Sequence, residues 1–261
     1  MRSLIGLIPA AGVARRLGRV SQSKEILPVV FGSPRAAGPE TAKPACTYLL
    51  SGLSGAGVSK AFIVVRAGKW DVPATLAKNP IPGMDLSYIV IEESAGVPWT
   101  LDRAYRFVCG SDVVMGFPDI LIRPPTFYRQ LVDELRAGRS DVVLGVMATN
   151  NPSKVDVVQI ADCGKVLSIR PKPDDLSVAK AWIAAAWRPS FSDYLHEYLI
   201  NTSLRSSVET ELQIGDILAA SLTELDVRAL EFDDGRFIDI GTPEDLASVT
   251  PPATTSMNCD I

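Results

Sequence analysis

The residues best suited to chemistry stand at the head of the chain. An apolar run, Leu4-Ile5-Gly6-Leu7-Ile8, enters a small-residue turn, Pro9-Ala10-Ala11-Gly12-Val13-Ala14, and Arg15-Arg16-Leu17-Gly18-Arg19 follow. Lys24-Glu25-Ile26-Leu27-Pro28 comes next. Arg2, Arg15, Arg16, Arg19 and Lys24 thus all precede the first acid, although the whole chain carries a formal charge of −4. A strand feeding a turn without bulky side chains lets backbone N–H groups approach a ligand closely, and neighbouring cations favour an anion there. A phosphate chain has the charge and the oxygens for such a place; a solvated basic loop is the plainer alternative.

Two acids stand where a cation could bind. Asp119 follows Val113-Val114-Met115-Gly116-Phe117-Pro118, just past a buried-looking strand, and open α/β sheets place ligands at the carboxyl ends of their strands. Asp239 lies in Phe237-Ile238-Asp239-Ile240-Gly241-Thr242, an acid in an apolar strand end. A buried carboxylate needs a partner or a cation, and two oxygen ligands with phosphates and water suit Mg²⁺. Either acid alone reads equally well as a turn or capping residue. Lys172 sits between Pro171 and Pro173, where a stiff backbone would aim a point charge at a phosphate; a solvated loop lysine is the plainer reading. Neither G-x-x-x-x-G-K-[ST] nor G-x-G-x-x-G occurs, which argues against a P-loop ATPase and a simple dehydrogenase.

These residues need strands and helices to position them. Strand-like runs at Leu4–Pro9, Ala61–Val65, Leu86–Ile91, Val113–Gly116 and Val142–Met147 alternate with helix-like segments at Pro44–Gly55, Pro73–Lys78, Thr100–Val108 and Pro125–Ala137. That alternation predicts an α/β fold with a mostly parallel, Rossmann-like sheet covered by helices on both faces. The second half is elaborated. Val155–Ile160 and Val166–Ile169 read as a β-hairpin, Ala181–Trp187 as a strand, Ser190 onward and Glu209–Leu222 as helices. Leu225–Glu231 and Arg236–Ile240 close the pattern around Asp234-Gly235, and Thr242-Pro243-Glu244 caps a last helix. The organisation read from this is one domain over 1–249 in two parts, 1–150 and an elaborated 151–249. Residues 250–261 read as a mobile tail.

Composition narrows the classes. At 261 residues and 47% hydrophobic content the chain can bury a full core. A pI near 5.2 argues against a nucleic-acid or anionic-membrane binder. Four scattered cysteines show no metal or disulfide spacing, and His196, the only histidine, reads as a helix-surface residue. No run approaches a membrane span and no signal peptide is evident, so the expected location is the cytoplasm.

Taken in order, the motifs resemble the sugar-1-phosphate nucleotidyltransferases, particularly the glucose-1-phosphate thymidylyltransferase group. That signature is G-x-G-T-R-[LM] after a strand, then P-K-x-[LM]-[LV]-P. Here Gly12-Val13-Ala14-Arg15-Arg16-Leu17 and Ser23-Lys24-Glu25-Ile26-Leu27-Pro28 stand in those places. Lys43-Pro44 and Ala56-Gly57-Val58 look like the next block, Gly116–Asp119 occupies the place of L-G-D, Pro171-Lys172-Pro173 that of E-K-P, and Phe237–Glu244 matches W-x-D-x-G-T-P-E. The resemblance implies that a sugar 1-phosphate attacks the α-phosphorus of a nucleoside triphosphate, with dTTP favoured, UTP next, and glucose 1-phosphate the favoured acceptor. It implies Arg16 and Lys24 as catalytic residues, with Arg16 on the departing pyrophosphate. Ala10, Ala11, Gly12, Val13, Arg15, Glu93 and Gly96 would hold the nucleotide, Lys172 and Asp156 the sugar phosphate, and Asp119 and Asp239 the Mg²⁺. Members are often oligomeric, so a homo-oligomer is expected.

The chain departs from the family pattern in places, with the phosphate and metal apparatus largely kept and the sugar pocket rewritten. Ala14, Arg15 and Ser23 replace a glycine, a threonine and a proline, and Ile120 replaces a polar residue after the metal aspartate. Val155-Asp156 replaces an aromatic–glycine pair, Pro171 a glutamate, and Ala184 or Ala185 a glycine. Glu92-Glu93-Ser94-Ala95-Gly96 stands where a glutamine usually reads the base, and a carboxylate only accepts hydrogen bonds. Trp99 is either a base-stacking residue or core. A nucleotide-sugar sensor or scaffold that kept the fold without turnover is the alternative reading.

Overall fold

The computed structural model describes residues 2–13, 22–32, 41–205 and 212–249. Arg15, Arg16 and the 250–261 tail lie outside the described residues, as does most of the Gly32–Ala42 loop.

In chain order, β1 (Leu4–Ala10) is followed by a 3-10 turn at Lys24–Ile26, the short strands β2 (Pro28–Val29) and β3 (Lys43–Pro44), and α1 (Cys46–Gly55). β4 (Lys60–Arg66), α2 (Asp71–Lys78), β5 (Asp85–Ile91), α3 (Val97–Asp102), α4 (Tyr105–Val108) and β6 (Asp112–Gly116) complete the first α/β units. Then come β7 (Ile120–Arg123), α5 (Phe127–Ala137), β8 (Val142–Thr149), β9 (Val157–Ile160), β10 (Val166–Arg170) and β11 (Ala179–Trp187). The chain continues with α6 (Pro189–Arg205), α7 (Ile214–Ser221), β12 (Val227–Glu231), β13 (Arg236–Asp239) and α8 (Pro243–Ala247).

β6, β1, β4 and β5 are parallel neighbours, and β11 joins antiparallel between β6 and β8, with β12 parallel to β8 beyond it. β9 and β10 pair antiparallel, as the hairpin reading expects. The α/β expectation is borne out. β1 shows how the sequence builds two layers: Leu4, Ile8 and Ala10 face the α1, α2 and α5 side with Leu50, Leu76 and Leu131. Ile5 and Leu7 face the α3, α6 and α7 side with Leu101, Phe191 and Ile217. That is the period of two of a strand buried on both faces. In α5 the positions spaced for a helix face, Phe127, Leu131, Val132 and Leu135, are the buried ones.

Three details differ from the sequence reading. The single helix expected over Thr100–Val108 is two: Pro98 starts α3 early and Ala104 separates it from α4. The helix expected from Glu209 begins at Ile214, where Gln213 and Asp216 form a reciprocal capping box; residues 206–211 lie outside the described residues. Ile120–Arg123, given no element in the sequence reading, forms β7 and pairs antiparallel with β13 in a sheet of its own. Val29, Phe31, Leu121 and Ile240 pack as a small core for that sheet. No described helix is long and apolar enough to cross a membrane.

Candidate active site

β1, β4, β5 and β6 open at their carboxyl ends onto a cleft of 560 Å³. Its floor carries Pro9, Ala11, Gly12 and Val13; Lys24, Glu25, Arg66 and Asp119 also line it, as do the Glu93–Val97 loop, Thr100, Phe117 and Gln213. Ala10 turns its side chain into the core. Among the described residues nothing lies within 4 Å of where a Cβ on Gly12 would stand, which leaves its backbone open toward the cleft.

The 3-10 turn sends two neighbouring charges to different partners. Lys24 Nζ bonds Asp119 Oδ2. Burial opposes the ammonium, but the Asp119 charge and hydrogen bond, with the charges of Glu25 and Asp239, outweigh it and raise the Lys24 pKa. Glu25 is buried, and its Oε1 accepts from Lys69 Nζ at 2.6 Å; the same ammonium donates to Ala10 O at 2.8 Å. Burial pushes the Glu25 carboxyl above its ordinary value despite Lys69. Ser23 ties the turn to the start of α2, its N–H and hydroxyl both donating to Asp71, at 2.7 and 2.8 Å.

Asp119 and Asp239 are brought together by the β7–β13 pairing. Asp239 stands opposite Ile120, and Ile240 N donates to Asp119 O at 2.9 Å. Asp119 lines the cleft, while Asp239 stands beside it, close enough for its charge to act on Lys24. Among the described residues no group of three or more His, Cys, Asp or Glu is placed for a metal. The donor set nevertheless fits Mg²⁺: two hard carboxylates from adjoining strand ends leave positions for phosphate oxygens and water. Asp119 already draws a cation, the Lys24 ammonium.

At the opposite wall, Ser94 Oγ donates to Gly96 O and is bonded to Thr100 Oγ1, both at 2.6 Å, which closes the loop carrying Glu93. Gly96 has φ 140 and lies against the Leu212 carbonyl, so no side chain fits there. Trp99 packs against the core; Phe117 is the aromatic residue that lines the cleft.

Lys172 and Asp156 stand next to the cleft wall. Lys172 is the one described non-glycine residue with positive φ, 40°, and its Nζ donates to Gln213 Oε1 at 3.3 Å. Asp156 Oδ2 lies where a Cβ on Gly215 would be. Burial raises the Asp156 pKa, Lys172 opposes that and Asp216 adds to it. Gln213 is the residue from this corner that lines the cleft itself. His196 is at a helix surface as expected, bonded through Nδ1 to Asp102 at 2.8 Å and stacked on Tyr105.

The structure therefore gathers Ala11, Gly12, Val13, Lys24, Glu93, Gly96 and Asp119 in one cleft, with Asp239 adjoining. Sequence reasoning missed Arg66, Lys69 and Gln213. Arg66 and Lys69 carried the same signal as Asp119, a charged residue at or just past the carboxyl end of a parallel strand.

Residues 26–256 match the family model described as Nucleotidyl transferase. The low-salt glycan biosynthesis nucleotidyltransferase Agl11 of Haloferax volcanii is 24% identical over 224 residues, 84% of this chain and 60% of that protein. The glucose-1-phosphate thymidylyltransferase of Streptomyces griseus is 25% identical over 263 residues, 97% of this chain and 68% of that protein. The chain thus spans about two thirds of the length of these relatives, or less. A crystal structure of a candidate glucose-1-phosphate thymidylyltransferase from Bacillus anthracis, in complex with sucrose, superposes with a TM-score of 0.79 at 20% identity. That superposition covers 94% of this chain and 93% of that one, and it shows a shared fold. With the family model matched over most of its length, the chain belongs to the nucleotidyl transferase family.

Proposed function

We propose that this chain transfers a nucleoside monophosphate from a nucleoside triphosphate to a sugar 1-phosphate, releasing pyrophosphate and a nucleotide sugar. The observation that carries this is the meeting of Lys24, Asp119 and Asp239 at one end of a cleft whose floor is the small-residue turn after β1. In the reaction a phosphate oxygen of the acceptor bonds to the α-phosphorus as the bond to the β-phosphate bridging oxygen breaks. Such a transfer needs positioning and charge neutralisation more than covalent help.

The turn backbone at Ala11–Val13 lies beneath the triphosphate, and the Lys24 ammonium neutralises the α-phosphate as charge develops. Asp119 and Asp239 would hold Mg²⁺, which would supply charge neutralisation to the phosphate oxygens. Lys172 holds the incoming sugar phosphate, with Asp156 beside it. Arg16 and Arg15, outside the described residues, keep the pyrophosphate roles that the resemblance gives them. On this reading 1–150 is the nucleotide half and 151–249 the sugar-phosphate half of one domain. Nucleotide-sugar supply in the cytoplasm is its setting, and a homo-oligomer its assembly. By resemblance alone, dTTP, then UTP, and glucose 1-phosphate are the substrates to try first.

A sensor without turnover is the second reading, favoured by Asp156 filling the space over Gly215 at the acceptor end. Pyrophosphate release, measured over five nucleoside triphosphates crossed with sugar 1-phosphates in the presence of Mg²⁺, separates the two. Release requiring triphosphate, acceptor and metal together, and abolished by Asp239→Asn, supports transfer. Triphosphate binding without release across the panel supports the sensor, and a chain that binds no triphosphate supports neither.

A further inference from the structure

We propose that Arg66 and Glu93 form the base-reading pair of the cleft and that the base they select is guanine. This rests on the reading that the cleft takes a nucleoside triphosphate. β4 and β5 are parallel neighbours with Arg66 in register with Ile91, so Arg66 ends its strand beside the last residue of β5, two residues before Glu93. Both line it, together with the Ser94–Val97 loop. The two opposite charges do not pair with each other: among the described residues neither side chain has an ion pair, and the Arg66 Nε is shielded from water without a hydrogen-bond partner. A guanidinium and a carboxylate that share a wall yet stay apart suit a ligand that offers acceptors to one and donors to the other.

The bases differ in how they can meet that pair. A carboxylate has two acceptor oxygens and a guanidinium a fork of donors. Guanine presents two adjacent N–H groups, at N1 and the 2-amino group, and two adjacent acceptors, O6 and N7. Uracil and thymine offer one ring N–H flanked by carbonyls, so the second carboxylate oxygen would face another acceptor. Cytosine and adenine offer an exocyclic amine next to a ring acceptor, with the same conflict. A glutamine at position 93 would both donate and accept, which suits a pyrimidine. Glu93 removes that donor, and Arg66 supplies a different one.

Calorimetric titration of the full chain with Mg²⁺ and GTP, ITP, 7-deaza-GTP, dTTP, UTP, CTP and ATP tests this. GTP is expected to bind at least about tenfold tighter than the other natural triphosphates. ITP, which lacks the 2-amino group, and 7-deaza-GTP, which lacks the N7 acceptor, should each lose about tenfold. Arg66→Met should erase the 7-deaza penalty, and Glu93→Gln should shift preference toward UTP and dTTP. The analogue series on the unaltered chain decides the matter even if a variant fails to fold. If dTTP or UTP binds as tightly as GTP, or GTP binding is indifferent to both analogues, the inference is overturned while the transfer reading stands. If no triphosphate binds, both fall.

Discussion

Lys69 holds Glu25 at 2.6 Å and, with the same ammonium, the carbonyl of Ala10 at 2.8 Å. One buried cation thereby joins the last residue of β1 to the turn that aims Lys24 at Asp119. Lys69 is 8% exposed and Glu25 1%, so neither charge has water to fall back on. Their pairing is a requirement of the fold at this point rather than a surface ion pair of little consequence.

Lys69→Met should therefore destabilise the protein by about 3–5 kcal/mol, because it leaves the Glu25 carboxylate buried without its cation. Adding Glu25→Leu should return much of that loss, since an apolar pair removes the charge that needed compensation. Urea unfolding of the two variants checks this. Equal stability of the single and double variants would show that the lone carboxylate is tolerated.

The parallel strands and both aspartates were legible in the sequence because local signals carry them. β1, β4 and β6 are apolar runs between breaks, and Asp119 and Asp239 interrupt apolar strand ends. What joins them was not legible. β7 is four residues long and pairs with a strand more than a hundred residues later, so no local pattern announces it. Lys69 stands just past the end of β4, a readable place for a charge, but its partner Glu25 lies 44 residues away and no local pattern names it. Gln213 was hidden inside an expected helix, although it stands just before that helix as its cap.

The cysteines should react in two classes. Cys46 is buried in α1, and burial, with the Glu25 charge, pushes its thiol up to about 12. Cys109 and Cys163 are exposed. Iodoacetamide at pH 8 should alkylate Cys109 and Cys163 in the folded protein and reach Cys46 only after unfolding, as read by peptide mass spectrometry. Labelling of Cys46 at the rate of Cys109 would mean that α1 opens readily.

Asp156 and Gly215 should behave as a coupled pair. A Cβ at 215 collides with the Asp156 carboxylate, so Gly215→Ala should cost about 1–3 kcal/mol. Combined with Asp156→Ala it should cost clearly less than the sum of the two. A pH signature accompanies this. The Asp156 pKa is raised above 3.8 in the folded state, so its contribution to stability is complete below 3.8 and is lost as pH rises through the folded value. Asp156→Asn cannot ionise. The stability of that variant relative to the unaltered chain should rise as pH climbs from 3.8 toward neutrality, measured as a widening difference in melting temperature.

Lys24 is the residue on which the transfer reading makes its sharpest demand. Its ammonium is kept charged by Asp119 and stands at the junction of the small-residue turn after β1 and the two carboxylates. A cation placed there before the reaction needs no reorganisation when charge develops on the α-phosphate. Lys24→Ala should lower kcat roughly 10²–10³-fold with little change in KM, because the contact strengthens only as the transition state forms. Lys24→Arg should restore little, since the planar fork cannot occupy the position of a compact ammonium against Asp119. The variant also leaves Asp119 without its cation, so a melting curve must accompany the rates. A KM rise at unchanged kcat would make Lys24 a ground-state binding residue, and unaltered kinetics would remove it from the site.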